Sequence, residues 1–304
     1  MSAHSRLSYW LLAGLLLSVT PLFFVSVTGD LLRRIPPELY AFGHVGMFGV
    51  VSVLLMTTPA LGARPFWQRA WLTLGCVLLL GGALELLQPL AGRSASLLDI
   101  WQNIVGAVAG IALLAPARRR AALLFTAAVL LTVTLQAPAI GLWDRAVARQ
   151  QFPVLSDFDS RFDHRRWTTG TPDERVARIG QRSLRLDLEP GRYSGTLRRR
   201  SLGDWSDYSA LELGLYLAGE TAITMTLSVR DQAHFRRGGH YSDRFNQSVR
   251  LDPGWNTITV PIATIRTAPE TRELALDDLA ELVLFTGALQ QPRTVYLDSV
   301  RLIR

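Results

Sequence analysis

Hydrophobic and polar positions follow two different rhythms along this chain, and the change falls near residue 150. Before it, apolar runs of about 20 residues recur, the length at which a helix crosses a bilayer. They predict five spans, at residues 9–28, 41–61, 70–90, 97–115 and 121–142. The fifth is diluted by Thr126, Thr132, Thr134, Gln136 and Pro138. The first is long and is followed by further spans, so it reads as an uncleaved span rather than a signal peptide.

From about Phe152 the runs shorten, alternate, and are broken by Gly, Pro, Asp and Asn, which is the pattern of an all-β domain. Strands are expected at 175–179, 183–188, 193–199, 210–218, 222–231, 245–251, 256–261, 282–286 and 294–303. Leu211, Leu213, Leu215 and Leu217 alternate with Glu212, Gly214 and Tyr216, so one face of that strand is apolar. Ile223, Met225, Leu227 and Val229 repeat the alternation, and Asp252-Pro253-Gly254 reads as a turn. The fold class is therefore an α-helical transmembrane bundle followed by an all-β sandwich. The expected domains are a helical one over 1–145, a linker over 146–152 and a β-domain over 153–304.

Charge sharpens this division. The 304 residues carry a formal net charge of +7 from 32 basic and 25 acidic side chains, and every basic residue is arginine. Residues 1–150 hold 11 Arg and 5 Asp/Glu, whereas residues 151–304 hold 21 Arg and 20 Asp/Glu. The excess sits in the apolar half, which argues against a nucleic-acid partner. With the N-terminus inside, Arg6, Arg64, Arg69, Arg118, Arg119 and Arg120 fall on the cytoplasmic side. Arg33, Arg34 and Arg93 fall outside, so the positive-inside rule favours this orientation. Five spans then deliver the β-domain to the outer face of the membrane. If the fifth failed to cross, the β-domain would be cytoplasmic. The single cysteine, Cys76, excludes an intrachain disulfide framework and reads as a small hydrophobe buried in an apolar run.

Ionisable residues inside spans are costly and mark candidate function. His44 lies near the outer end of the second span. Glu85 and Gln88, three apart, share a helical face near the outer end of the third. Arg93 and Ser96 occupy the outer connection, and Asp99 and Asn103, four apart, open the fourth span. One set of arginines thus gathers the whole group at one depth. Arg93 can grip a phosphate or carboxylate, His44 can trade protons with Glu85 or Asp99, or these three can ligate a divalent metal. A hydrogen-bonded clamp between helices, with Arg93 and Asp99 neutralising each other, satisfies the same pattern.

The ordered series His44, Glu85-Leu86-Leu87-Gln88, Gly92-Arg93-Ser94, Asp99, Asn103, Gly106 and Gly110 resembles the VanZ-like family of small bacterial membrane proteins over about residues 35–115. That resemblance implies a cell-envelope role, in a family associated with resistance to glycopeptide antibiotics such as teicoplanin. It makes His44, Glu85, Gln88, Arg93, Asp99 and Asn103 the motif positions, without supplying a reaction. A fifth span and a large β-domain depart from the short members of the family.

The β-half resembles the galactose-binding-like jelly roll of carbohydrate-binding modules. The resemblance rests on Asp157-Phe158-Asp159, Gln181-Arg182-Ser183-Leu184-Arg185-Leu186, Asp204-Trp205-Ser206-Asp207-Tyr208, Gly254-Trp255-Asn256-Thr257-Ile258 and the closing segment from Tyr296 to Leu302. Residues 235–245 mix aromatics, charges and glycines between two strands, as a binding loop does. Within them His240, Tyr241, Asp243, Arg244 and Phe245 are the candidate glycan contacts, and the same residues can equally cover a sheet edge. Trp205 and Trp255 are expected in the core. Asp157, Asp159 and Asp298 come from opposite ends of the domain and can share a structural calcium ion if the terminal strands are adjacent. No other cofactor is expected.

These readings converge on a multi-pass envelope protein whose β-domain binds envelope polysaccharide or a partner. Its outer-leaflet cluster would meet membrane lipid and recognise a lipid-linked phosphate or saccharide headgroup. The alternative is a membrane-embedded enzyme or flippase component acting on a polyprenyl- or lipid-linked saccharide.

Overall fold

The computed structural model describes residues 14, 36, 38–91, 94–191, 193–199, 202–287 and 289–304. The run expected as the first span, apart from Gly14, and Arg93 of the motif series lie outside the described residues. The chain divides into two units, Met1–Trp143 and Asp144–Arg304.

In the first unit, α1 (Glu38–Thr57), α2 (Pro59–Gly62), α3 (Phe66–Leu87) and α4 (Leu97–Leu113) precede α5 (Ala117–Gln151), whose last turns belong to the second unit. Prolines punctuate these helices where a missing N–H costs nothing: Pro59 opens α2 and Pro65 stands just before α3. Gln88–Ala91 closes α3 with a tight 3₁₀ turn, and Ser96 caps α4 by accepting from the Asp99 N–H. Helices α1, α3 and α5 are long and apolar enough to cross a membrane, while α4 is a shorter apolar helix. Trp71, Leu79, Leu86 and Phe125 stand exposed on their surfaces. Cys76, expected to be buried, is exposed as well, because α3 turns that side away from its neighbours.

Helices α1 and α4 pack closest, and glycine is the reason. A Cβ on Gly106 would lie 2.3 Å from the Val45 carbonyl oxygen, and one on Gly110 would lie 2.4 Å from that of Gly49. Only hydrogen at these positions lets the two backbones meet. Met47, Phe48, Val51, Val77 and Ala107 fill the space beneath, between α1, α3 and α4.

Of the expected linker, residues 146–152, all but the last residue continue α5 as regular helix to Gln151. The second unit is a sandwich of two antiparallel sheets. Among the described residues ten strands build it: β1 (Val154–Ser156), β2 (Thr171–Asp173), β3 (Ser183–Leu188), β4 (Ser194–Arg198), β5 (Ala210–Leu217), β6 (Ile223–Asp231), β7 (Phe245–Leu251), β8 (Gly254–Pro261), β9 (Leu279–Thr286) and β10 (Arg293–Ile303). One sheet runs β2-β3-β10-β5-β8, with β1 also on β10; the other runs β4-β9-β6-β7. Leu211, Leu213, Leu215 and Leu217 from the first sheet share one core with Ile223, Met225, Leu227 and Val229 from the second. The period-2 pattern thus places both apolar faces inward. Short helices α6 (Gln232–Arg236) and α7 (Ile262–Arg266) decorate the strand ends.

The strand expected at 175–179 does not form. Its backbone groups go to side chains instead: Asp173 accepts from Arg175 N, the Asp298 carboxylate accepts from Arg178 N and Ile179 N, and the Val176 carbonyl accepts from Ser183 Oγ. The strand lies earlier, at β2, which pairs with β3. Trp205 is fully buried, as expected. Trp255 is not: it sits 38% exposed on the outer face of β8, edge-on to Tyr216. Its place on the strand alternates with the inward residues of β5's neighbour, so it points away from the core.

Candidate functional sites

Helices α1, α3 and α4, with the 3₁₀ turn that closes α3 and carries Gln88, bring five of the six motif side chains together. His44 Nδ1 lies 2.8 Å from Asn103 Oδ1 and so donates to it. His44 Nε2 lies 3.6 Å from Asp99 Oδ2. Gln88 Nε2 donates to Glu85 Oε1 at 3.0 Å, and the Ser96 N–H donates to Glu85 Oε2 at 2.7 Å. His44, Glu85, Gln88 and Asn103 are all buried, while Asp99 is partly open. Asn103 fits because residue 81 is glycine: a Cβ there would stand 2.6 Å from Asn103 Nδ2. Ligand atoms of His44, Glu85 and Asp99 all lie within 4.8 Å of one another. Among the described residues, no arginine forms an ion pair with Glu85 or Asp99.

The sandwich carries a second site. A cavity of about 610 Å³ opens on the outer face of the four-stranded sheet, with Tyr193, Thr226, Arg230, Tyr241, Arg244 and Phe285 in its walls. Strand alternation supplies the floor: Thr226 and Arg230 face out from β6 where Leu227 and Val229 face in, and Phe285 faces out from β9 where Leu284 faces in. Tyr193 and Tyr241 stand 71% and 69% exposed. Tyr193 meets Phe285 edge to face at 5.6 Å between centroids, and the Arg244 guanidinium lies 4.9 Å over the Tyr241 ring. Arg230 is bound to Glu281 at 2.9 Å. Arg244 forms no ion pair among the described residues, and burial together with the nearby Arg230 charge lowers its pKa.

Of the five residues expected as glycan contacts, Tyr241 and Arg244 line this cavity and three do not. Asp243 is buried, taken by Arg272 Nε at 2.6 Å. Phe245 is a core residue. His240 is exposed but outside the cavity's lining. The stretch expected as one loop is in fact helix α6, a two-glycine turn and the 3₁₀ turn Tyr241–Asp243. Tyr193, Arg230 and Phe285 escape a reading of that stretch because they lie just before β4, on β6 and on β9. The outward alternation of Thr226 and Arg230 along β6 was the available signal.

The carboxylates expected to share calcium are each engaged by neighbouring N–H groups. Asp298 accepts from Arg178 N, Ile179 N and Ser299 N; Asp159 accepts from Gln181 N and Arg182 N; Asp157 accepts from Asp159 N. Burial raises the pKa of Asp298, and these backbone donors oppose the rise. Asp157, Asp159 and Asp298 do not form a group with all ligand atoms within 4.8 Å of one another, as His44, Glu85 and Asp99 do.

No protein-family model matches the chain, and no curated protein matches it. Among solved structures it is similar to an exo-β-agarase, at 16% identity and a TM-score of 0.40, covering 49% of this chain and 24% of that one. It is also similar to a family 11 carbohydrate-binding module from Clostridium thermocellum in complex with a β-1,3-1,4-mixed-linked tetrasaccharide. There the identity is 17% and the TM-score 0.38, over 49% of this chain and 94% of that one. A family 30 carbohydrate-binding module gives 16% and 0.35, over 44% and 73%. At these scores the likeness carries no weight for function, and the sandwich stands on its own strand pairing.

Proposed function

We propose that this is a multi-pass membrane protein of the bacterial cell envelope whose sandwich binds saccharide in the cavity over β4, β9 and β6. The observation that carries this reading is the pair of exposed tyrosines, Tyr193 and Tyr241, at one cavity with Arg230 and Arg244. Sugar rings present C–H faces that pack on aromatic rings and hydroxyls that need donors and acceptors. A concave site with few polar groups and aromatic walls suits both. The apolar helices supply the anchor, and the arginine distribution supports an extracytoplasmic sandwich in the inner membrane with the N-terminus inside.

In the same reading the helical cluster, with the VanZ-like motif positions His44, Glu85, Gln88, Arg93, Asp99 and Asn103, faces the headgroup region of the outer leaflet. There it recognises a lipid-linked phosphate or saccharide. Reporter fusions at residues 119 and 150 test the topology: opposite sides are expected, and the same side overturns the extracytoplasmic placement. Binding of soluble β-glucan oligosaccharides and muramidase-released peptidoglycan fragments to the detergent-solubilised chain tests the saccharide reading. Saturable binding that Tyr241→Ala weakens at least about tenfold is expected, equivalent to about 1.4 kcal/mol. No binding to any of these probes overturns it.

A further inference from the structure

The three side chains His44, Glu85 and Asp99 come from three different helices and meet at one place. Two carboxylates and an imidazole converge within 4.8 Å between apolar helices, with His44 and Glu85 buried. The ring of His44 is held between two neighbours, with Nδ1 at 2.8 Å from Asn103 Oδ1 and Nε2 at 3.6 Å from Asp99 Oδ2. One ring nitrogen and two carboxylates converging in a low-dielectric setting make a donor set for a cation.

We propose that His44 Nε2, Glu85 and Asp99 bind one divalent transition-metal ion where α1, α3 and α4 meet. One imidazole with two carboxylates is a donor set for zinc, manganese or iron(II). Magnesium and calcium favour all-oxygen shells. Ligands about 2.1 Å from a common ion stand about 3.4 Å apart, so the observed spread closes with carboxylate shifts of about an ångström.

The surroundings are those of a metal site. Asn103 holds Nδ1 of His44 and so directs Nε2 toward Asp99, as an outer-shell acceptor does. Gln88 and the Ser96 N–H orient the two oxygens of Glu85. Gln88 is itself fully buried, and its Oε1 has no hydrogen-bond partner among the described residues. An orphan acceptor beside Glu85 is costly unless water or a ligand on the ion donates to it. Glycines 106 and 110 hold α1 against α4, which keeps His44 and Asp99 at fixed separation. Three protein ligands leave at least one coordination position open for water or an oxygen anion. The proposal is independent of the saccharide cavity, which lies in the other unit; it concerns the cluster already assigned to headgroup recognition, and metal titration without lipid separates the two.

The test uses the full-length chain, purified in detergent without a nickel or cobalt affinity step. Titration with Co²⁺, and with Zn²⁺ in competition, is expected to saturate at one ion per chain. X-ray absorption of the Co²⁺ form is expected to report a single imidazole in a nitrogen and oxygen shell. Glu85→Gln and Asp99→Asn are each expected to weaken binding at least tenfold while eluting as the wild type does on size exclusion. Gln88→Glu, which adds an acceptor to the site, is expected to bind at least as tightly as the wild type. Absence of saturable binding up to 1 mM metal, at about the weakest affinity worth calling a site, overturns the proposal. Folded variants that bind as tightly as the wild type overturn it too. So does a metal shell without an imidazole, and that readout needs no variant.

Discussion

Among the described residues the two units bury charge in different ways. In the sandwich, buried carboxylates meet guanidinium groups. Asp231 and Asp243 share Arg272, with Arg272 Nη2 at 2.8 Å from Asp231 and Nε at 2.6 Å from Asp243. Asp163, fully buried, accepts from Ser156 Oγ, Asp157 N and Phe158 N and faces Arg166 at 3.2 Å and Arg198 at 3.9 Å. Burial is severe enough to push the Arg198 pKa down to about 10 and to raise that of Asp163. Glu85 and Asp99 in the helices have no such arginine among the described residues, and their neighbours are an amide, a backbone N–H and an imidazole. Charge buried with its counter-charge holds a fold together. Charge buried without one is costly and persists where something else is meant to bind.

Substitutions can break this contrast. Arg272→Met strands two carboxylates and is expected to cost the sandwich about 3–5 kcal/mol in denaturant unfolding. Glu85→Gln is expected to cost the helical unit less than about 1 kcal/mol, because it removes a charge that has no guanidinium partner among the described residues. Equal losses in the two experiments would make Glu85 a structural partner like Asp231 and erase the difference between the units.

Acid sharpens the sandwich side of the comparison. Hydrogen bonding to Arg272 holds the Asp243 carboxyl below the usual carboxylate range, and the same partner with backbone donors outweighs burial at Asp231. Carboxyls depressed in the folded state add stability that is present above the unfolded pKa, about 4, and is lost as pH falls through their folded values. The gap in unfolding free energy between wild type and Arg272→Met is therefore expected to stay flat near neutrality and to shrink below about pH 4. A gap unchanged at pH 2 would contradict the pairing. The smallest effect is expected at Trp255: its change to Ala costs less than about 1 kcal/mol, whereas Trp205→Ala costs about 3–5 kcal/mol by the same measurement.

Much of this was legible in the residues, and the failures have physical causes. Strands with one apolar face, such as β3, β5, β6 and β7, appear in the sequence because burial demands period-2 alternation. β1 and β2 are three residues each, and β2 contains Pro172, so neither offers a period to read. Residues 175–179 look like a strand, but Asp298, more than a hundred positions away, takes their N–H groups. The helical cluster was readable because helix geometry puts residues three and four apart on one face. The cavity was half readable. Tyr241 and Arg244 stand close in sequence, whereas Tyr193 and Phe285 reach them only through the order β4-β9-β6-β7. Asp243 looked like a ligand contact because nothing local announces Arg272, 29 positions on.

The central claim is that the cavity over the four-stranded sheet binds saccharide. Calorimetric titration of the full chain with soluble β-glucan oligosaccharides and peptidoglycan fragments, repeated on Tyr193→Ala and Tyr241→Ala, tests it most directly. Saturable binding by the wild type, weakened at least about tenfold by either change at unaltered unfolding free energy, is the predicted result. Binding that survives both changes, or no binding by the wild type to any of these saccharides, would contradict it.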